Sequence, residues 1–292
     1  MITYDSRDWF KALALHRSDT FRKLFPLLVL VGLFTGAIGY IEVEYLKLSS
    51  RSQVSNLPVM HSLLGFAISM LLVFRTNTAY DRWWEARKLW GELVNVSRNV
   101  AIKIESLVPT DDTATRRVFT GLIGRFAHEL CAHLRSEETR VELDTEGHPE
   151  LEEPDRDKHV PAQLALRMQR RAQRLYRDGH ISGEQLIGLV TDLTAFMNIC
   201  GACERIKNTP IPYSYTTFLK KFIVVYVFTL PFGFVFSLGY LAVPVVVFVF
   251  YVLASLELIA EEIEDPFGMD ANDLPLARLA TMIEANARDI LS

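Results

Sequence analysis

Three long stretches without a charged residue decide what this chain can fold into. Leu24–Ile41 is 18 residues long (LFPLLVLVGLFTGAIGYI). Leu57–Phe74 is another 18, with His61 as its only titratable group, and Phe222–Leu256 runs for 35. A helix rises 1.5 Å per residue, so 18 residues reach about 27 Å, close to the hydrocarbon thickness of a bilayer. As one helix the third stretch would reach about 52 Å, too far for a single crossing. Gly239 and Pro244 lie near its middle, so two spans are expected, roughly 222–238 and 241–257. Buried helices of soluble proteins carry a polar stripe, and these stretches have little of one. The expectation is an all-α integral membrane protein with four transmembrane helices. Ile41-Glu42-Val43-Glu44 follows the first stretch, where a cleaved leader would end on a small-residue site, so that stretch reads as a span.

Lys and Arg near the spans set the orientation. Arg7, Lys11, Arg17, Arg22 and Lys23 precede the first span, and Arg75, Arg82, Arg87 and Lys88 follow the second. Arg205, Lys207, Lys220 and Lys221 precede the third. The first intervening loop carries only Lys47 and Arg51, and the turn between spans three and four carries no charge. Both termini and the middle segment are expected in the cytoplasm, with the protein multi-pass in the cell (inner) membrane. The expected organisation is a cytoplasmic N-terminal segment 1–23, helices one and two within 24–80, a helical cytoplasmic domain 81–221, helices three and four within 222–257, and a cytoplasmic C-terminal segment 258–292. A net charge of −4 (31 Lys+Arg against 35 Asp+Glu) argues against a nucleic-acid partner.

The middle segment reads as helical. Trp83, Trp84, Leu89, Trp90, Leu93, Val94, Ala101 and Ile104 recur at helical spacing, as do Val118, Phe119, Leu122, Phe126 and Leu130. Residues 137–160 are acidic, with few apolar side chains, and read as a solvated loop. Further helices are expected over 161–178 and 182–205, the latter opened by a Ser182/Gln185 capping box. The helix over 81–107 follows the second span so closely that one long helix would leave the bilayer and continue.

Few motifs point to chemistry. Cys200-Gly-Ala-Cys203 stands alone, with Cys131 distant in sequence, and reads as two buried structural thiols. Alternatives are a redox pair or half a zinc site. His128-Glu129…His133 resembles a zincin helix with one residue too many, which rotates the second imidazole about 140° from the first. No Walker motif, GxGxxG or GxSxG occurs, so an enzyme is not expected and no cofactor is implied. Glu261, Glu262, Glu264, Asp265, Asp270 and Asp273 read as a solvated juxtamembrane face, with a hard-cation site as the alternative. In the second span Phe66, Met70 and Phe74 fall at i, i+4 and i+8 on one face, flanked by the small residues Ser62, Gly65 and Ser69. Several copies around an axis would stack them as apolar rings that gate by dewetting. The alternative is an ordinary packing or lipid-facing stripe.

Three segments together resemble the bestrophin family of ion channels, closest to its bacterial branch. They are Phe74-Arg-Thr-Asn-Thr-Ala-Tyr-Asp-Arg-Trp-Trp-Glu-Ala-Arg87, Cys203-Glu-Arg-Ile-Lys-Asn-Thr-Pro-Ile-Pro212, and Glu264-Asp-Pro-Phe-Gly268 followed by Asp270, Asn272 and Asp273. The resemblance implies a homopentamer in the bilayer, with one central pore passing monovalent ions along the second span. It places the apolar neck at Phe66, Met70 and Phe74. It places a second, cytoplasmic aperture at Thr209, or at Ile206 if the helix end shifts. Animal members bind calcium after the last span. Here Asp270 and Asp273 match acidic ligands, while Met269, Ala271 and Asn272 interrupt the acidic run. The family default is chloride and other anions; some bacterial members resemble cation (sodium) channels, and an uncharged neck of Phe and Met does not decide the sign. A non-conducting membrane scaffold or sensor is the alternative class.

Overall fold

The computed structural model describes residues 19–45, 57–135, 154–155 and 158–292. The charges at Arg7, Lys11, Arg17, Lys47 and Arg51 and most of the expected 137–160 loop lie outside the described residues. Among the described residues the chain is helical throughout: α1 (Asp19–Tyr40, with a π-helical turn Ile41–Tyr45), α2 (Leu57–Leu107), α3 (Thr113–Arg135), α4 (Val160–Arg177), α5 (Gly183–Asn208), α6 (Tyr213–Thr229), α7 (Pro231–Leu238), α8 (Ala242–Glu264) and α9 (Leu276–Ile290). The all-α, membrane-helix reading is what the structure shows.

The residues form two units, one of Trp83–Thr209 with Asp265–Ser292, the other of the chain up to Arg82 with Pro210–Glu264. α2 is unbroken and contributes to both.

In the second unit, α1 packs along α8. Leu24, Leu28 and Val31 of α1 meet Ile68 and Leu72 of α2, Leu219, Ile223 and Val227 of α6, and Val246, Phe250 and Leu253 of α8. The ring centroids of Phe34 and Phe228 lie 4.8 Å apart, edge to face. Large apolar side chains also cover the outside: Phe25, Leu33, Val225 and Phe248 are all more than half exposed. Such a surface needs an apolar solvent, which a bilayer supplies. The stretch from Tyr213 to Glu264 is not one rod. It breaks at Leu230, where Pro231 starts α7, and again at Gly239, whose φ of 55° lies in the left-handed region that favours glycine. Its two ends meet, since the Lys220 Nζ–Glu261 ion pair closes at 2.9 Å. The stretch therefore crosses and returns. The helix that holds the third apolar run begins before it, because Tyr213–Lys221 continue the helix.

In the first unit, α3 packs against α4 and α9, and α4 against α5. Trp90, Leu93 and Ile104 of α2, Phe119, Leu122 and Phe126 of α3, Met168 of α4, Phe196 of α5 and Ile283 of α9 share one core. α5 is long and apolar enough to cross a membrane by composition. However, its apolar side chains fill that core, and Lys103 pairs with its Asp192 at 2.8 Å. We therefore assign α5 to the helical bundle. The capping box opens α5 as expected: the Gln185 N–H donates to Ser182 Oγ at 3.3 Å, and the Ser182 N–H donates to Gln185 Oε1 at 2.7 Å.

Candidate functional site

The face of α2 that the chain does not use for its own packing is the one carrying the expected neck. Phe66, Met70 and Phe74 are 73%, 50% and 54% exposed. On the opposite side of the helix Ile68, Leu72, Arg75 and Ala79 are buried. Period 3.6 makes this separation, since those four cluster within one quadrant and the neck row centres about 180° away. The helix satisfies its own hydroxyls: Ser62 donates to the Pro58 carbonyl at 2.9 Å, Ser69 to Gly65 at 2.7 Å, and Thr78 to Phe74 at 2.9 Å. Of the three small residues, Gly65 serves a close approach within the protomer, because a Cβ there would lie 2.7 Å from the Tyr226 hydroxyl. Ser62 and Ser69 are exposed.

What holds the rotation of α2 is the residue next to Phe74. Arg75 is fully buried, and its guanidinium pairs with Glu264 at 2.7 Å and with Glu257 at 3.5 Å. A charge taken out of water is tolerated only beside such partners. Turning α2 to bury Phe74 would expel Arg75 from both carboxylates. Glu264 also accepts the Ile211 N–H at 2.7 Å, and its carbonyl accepts from Arg82 Nε at 3.1 Å. Lys23 pairs with Glu262 at 3.0 Å and Lys220 with Glu261 at 2.9 Å. At the end of α8, Glu264 and Glu262 are drawn into ion pairs with α2 and α1, while the Lys220–Glu261 pair stays exposed on a solvated face. In sequence Arg75 counts only among the positive charges after the second span; its pairing with Glu257 and Glu264 depends on a remote helix. The available signal was an arginine in the last turn of one apolar run with Glu257 closing another.

The two aperture candidates separate. Thr209 caps the C-terminus of α5, its N–H donating to the Arg205 carbonyl at 3.1 Å, and it is exposed. Ile206 is buried in the core of its unit, so it does not face an aqueous path.

Asp270 and Asp273 sit in a loop closed by the Leu274 N–H to the Pro266 carbonyl at 3.0 Å. Trp83 Nε1 donates to the Asn272 carbonyl at 3.0 Å, which ties the loop to α2. Asp273 Oδ2 accepts the Asp270 N–H at 2.6 Å, while its Oδ1 is buried without a hydrogen bond. Burial, with the nearby Asp270 and Asp265 charges adding to it, pushes Asp273 up to about 6. Calcium takes six to eight oxygen ligands. Three aspartates interrupted by Met269, Ala271 and Asn272, one of them already holding a backbone N–H, are a poor donor set for it.

The remaining motifs resolve into structure. Cys200 and Cys203 are buried; burial and the Glu204 charge push both thiols up, Cys203 to about 12. Neither is a nucleophilic thiolate at neutral pH, which argues against the redox reading. His128 pairs with Glu284 at 3.1 Å and His133 with Glu204 at 2.7 Å, so the two imidazoles of the near-zincin helix serve different partners.

A family model described as the bacterial/fungal bestrophin protein matches residues 1–289. The chain belongs to this bestrophin family. It is 32% identical over 294 residues to a voltage-dependent anion channel-forming protein of Ralstonia nicotianae, covering 100% of this chain and 94% of the relative. It is 36% identical over 249 residues to a protein of the same description from a Nostoc species, covering 81% and 80%. A crystal structure of a bacterial bestrophin homologue from Klebsiella pneumoniae superposes with a TM-score of 0.80 at 29% identity, over 92% of this chain and 98% of that one. The helical membrane architecture of this bestrophin is therefore one already seen in a solved relative.

Proposed function

We propose that this bestrophin is a channel for small monovalent anions rather than an enzyme. Five copies surround one axis, and α2 of each presents Phe66, Met70 and Phe74 to it. The observation that carries this reading is the exposure of that row opposite the buried Arg75. Ring-closing heterologous contacts suit a face the protomer leaves uncovered. Three stacked apolar rings raise a desolvation barrier that passes ions when the neck wets and stops them when it dries. The names of the relatives, voltage-dependent anion channel-forming proteins, point the same way. Thr209 forms the second constriction. Residues 24–80 and 222–257 lie in the inner membrane, and 81–221, 258–292 and both termini lie in the cytoplasm, a reading that the distribution of Lys and Arg supports.

A reversal potential decides the reading. Purified protein in planar bilayers under a KCl gradient is expected to give single-channel currents reversing near the chloride equilibrium potential. Reversal near the potassium potential would overturn anion selectivity. Silence in every salt would overturn conduction itself and favour the scaffold.

A further inference from the structure

Three side chains outside the proposed conduction path converge within the bundle unit. His133 lies in the last turn of α3, His159 is the N-cap of α4, and Glu204 lies near the end of α5. His133 Nε2 is 2.7 Å and His159 Nε2 2.6 Å from the same oxygen, Glu204 Oε1. The two rings lie 4.8 Å apart. One ligand atom from each of the three lies within 4.8 Å of the others, the only such His/Cys/Asp/Glu group found among the described residues.

Two imidazoles and a carboxylate are the donors that divalent transition ions prefer, and three protein ligands leave a coordination position for solvent. We infer that His133, His159 and Glu204 form a binding site for a divalent transition-metal ion such as Zn²⁺. Two nitrogens from different elements aim at a single carboxylate oxygen, so all three donors converge on one point where an ion can be held. Both histidine side chains are 37% exposed and Glu204 27%, so the ion has access.

The geometry also says how the site behaves. His159 Nδ1 accepts the Ala162 N–H at 3.1 Å, which places the ring proton on Nε2, facing Glu204. An ion at Nε2 displaces that proton and shifts the tautomer at the expense of the α4 cap. Ligand atoms of a filled tetrahedral site lie roughly 3.3 Å apart, so Glu204 Oε1 must back away from both nitrogens, now 2.7 and 2.6 Å off, to let the ion in. Such a site exchanges its ion with the medium rather than holding it permanently.

The test uses untagged full-length protein in detergent, stripped by chelator and titrated with Co²⁺. The expected result is one Co²⁺ per chain with visible d–d bands and displacement by Zn²⁺. His133→Ala and His159→Asn should each weaken binding about tenfold or more. Asn at 159 still caps Ala162, so circular dichroism and elution volume should stay unchanged and separate loss of a ligand from loss of fold. Absence of Co²⁺ bands in the wild type, binding unchanged in both variants, or a thiolate charge-transfer band assigning the ion to cysteine would each overturn the site. No current enters this test, so its outcome is independent of the conduction reading.

Discussion

A carboxylate with one oxygen on a backbone N–H and the other buried without a hydrogen bond, as at Asp273, works against the fold once it is charged. Its folded-state value of about 6 lies above the roughly 3.9 of an unfolded aspartate. Between those values the unfolded chain has released the proton and the folded chain retains it. Stability therefore falls as pH rises through the window from about 4 to 6, and above it the loss is complete, on the order of 3 kcal/mol. Asp273→Asn keeps an oxygen for the Asp270 N–H and removes the charge. Thermal unfolding at pH 8 should shift several degrees upward, while at pH 4 the variant and wild type should melt together; equal melting at both would refute the argument. At this same scale the sequence was partly legible. Phe66, Met70 and Phe74 announce themselves by spacing. Asp273 and Arg75 do not, because their states depend on carboxylates and backbone brought up from remote parts of the chain.

Elements were more legible than the contacts between them. The capping residues Ser182 and Gln185 are local to one turn and fix the start of α5 from sequence alone. α9 is less legible, although Leu276, Ala280, Ile283 and Ala287 follow helical spacing, because its apolar face is defined by α3, on which it packs. That packing depends on Gly124. A Cβ there would lie 2.7 Å from Cγ and 3.2 Å from Cβ of Glu284, atoms too near the α9 backbone to swing away. Gly124→Ala should therefore destabilise the bundle by about 1–3 kcal/mol through overpacking. Gly201→Ala is the matched control. It sits in α5 with nothing within 4 Å of its added methyl, so helix propensity alone should make it neutral or stabilising by up to about 1 kcal/mol. Chemical unfolding in detergent that ranks the two variants alike would break the claim that α3 and α9 meet at this glycine.

At the scale of the whole molecule, the neck is a statement about copies of the chain, and the protomer supports it through the rotation of one helix. Arg75, locked by Glu257 and Glu264, leaves the Phe66 row outward. Two surroundings are compatible with an outward apolar row, a shared axis filled by its own symmetry mates or acyl chains. They differ in what substitution does. If the row lines the axis, Met70→Ala widens the middle ring and lowers the desolvation barrier, because fewer apolar atoms stand where hydrated ions pass. Single-channel conductance should then rise several-fold, with Phe66→Ala and Phe74→Ala acting in the same direction and the triple variant exceeding each, since the rings lie in series. If the row faces lipid, the same truncations remove only apolar surface already solvated by hydrocarbon, and conductance should not move. Thr209→Ala tests the proposed second constriction without touching the apolar barrier. Three neck variants with wild-type conductance in planar bilayers would place the conduit elsewhere.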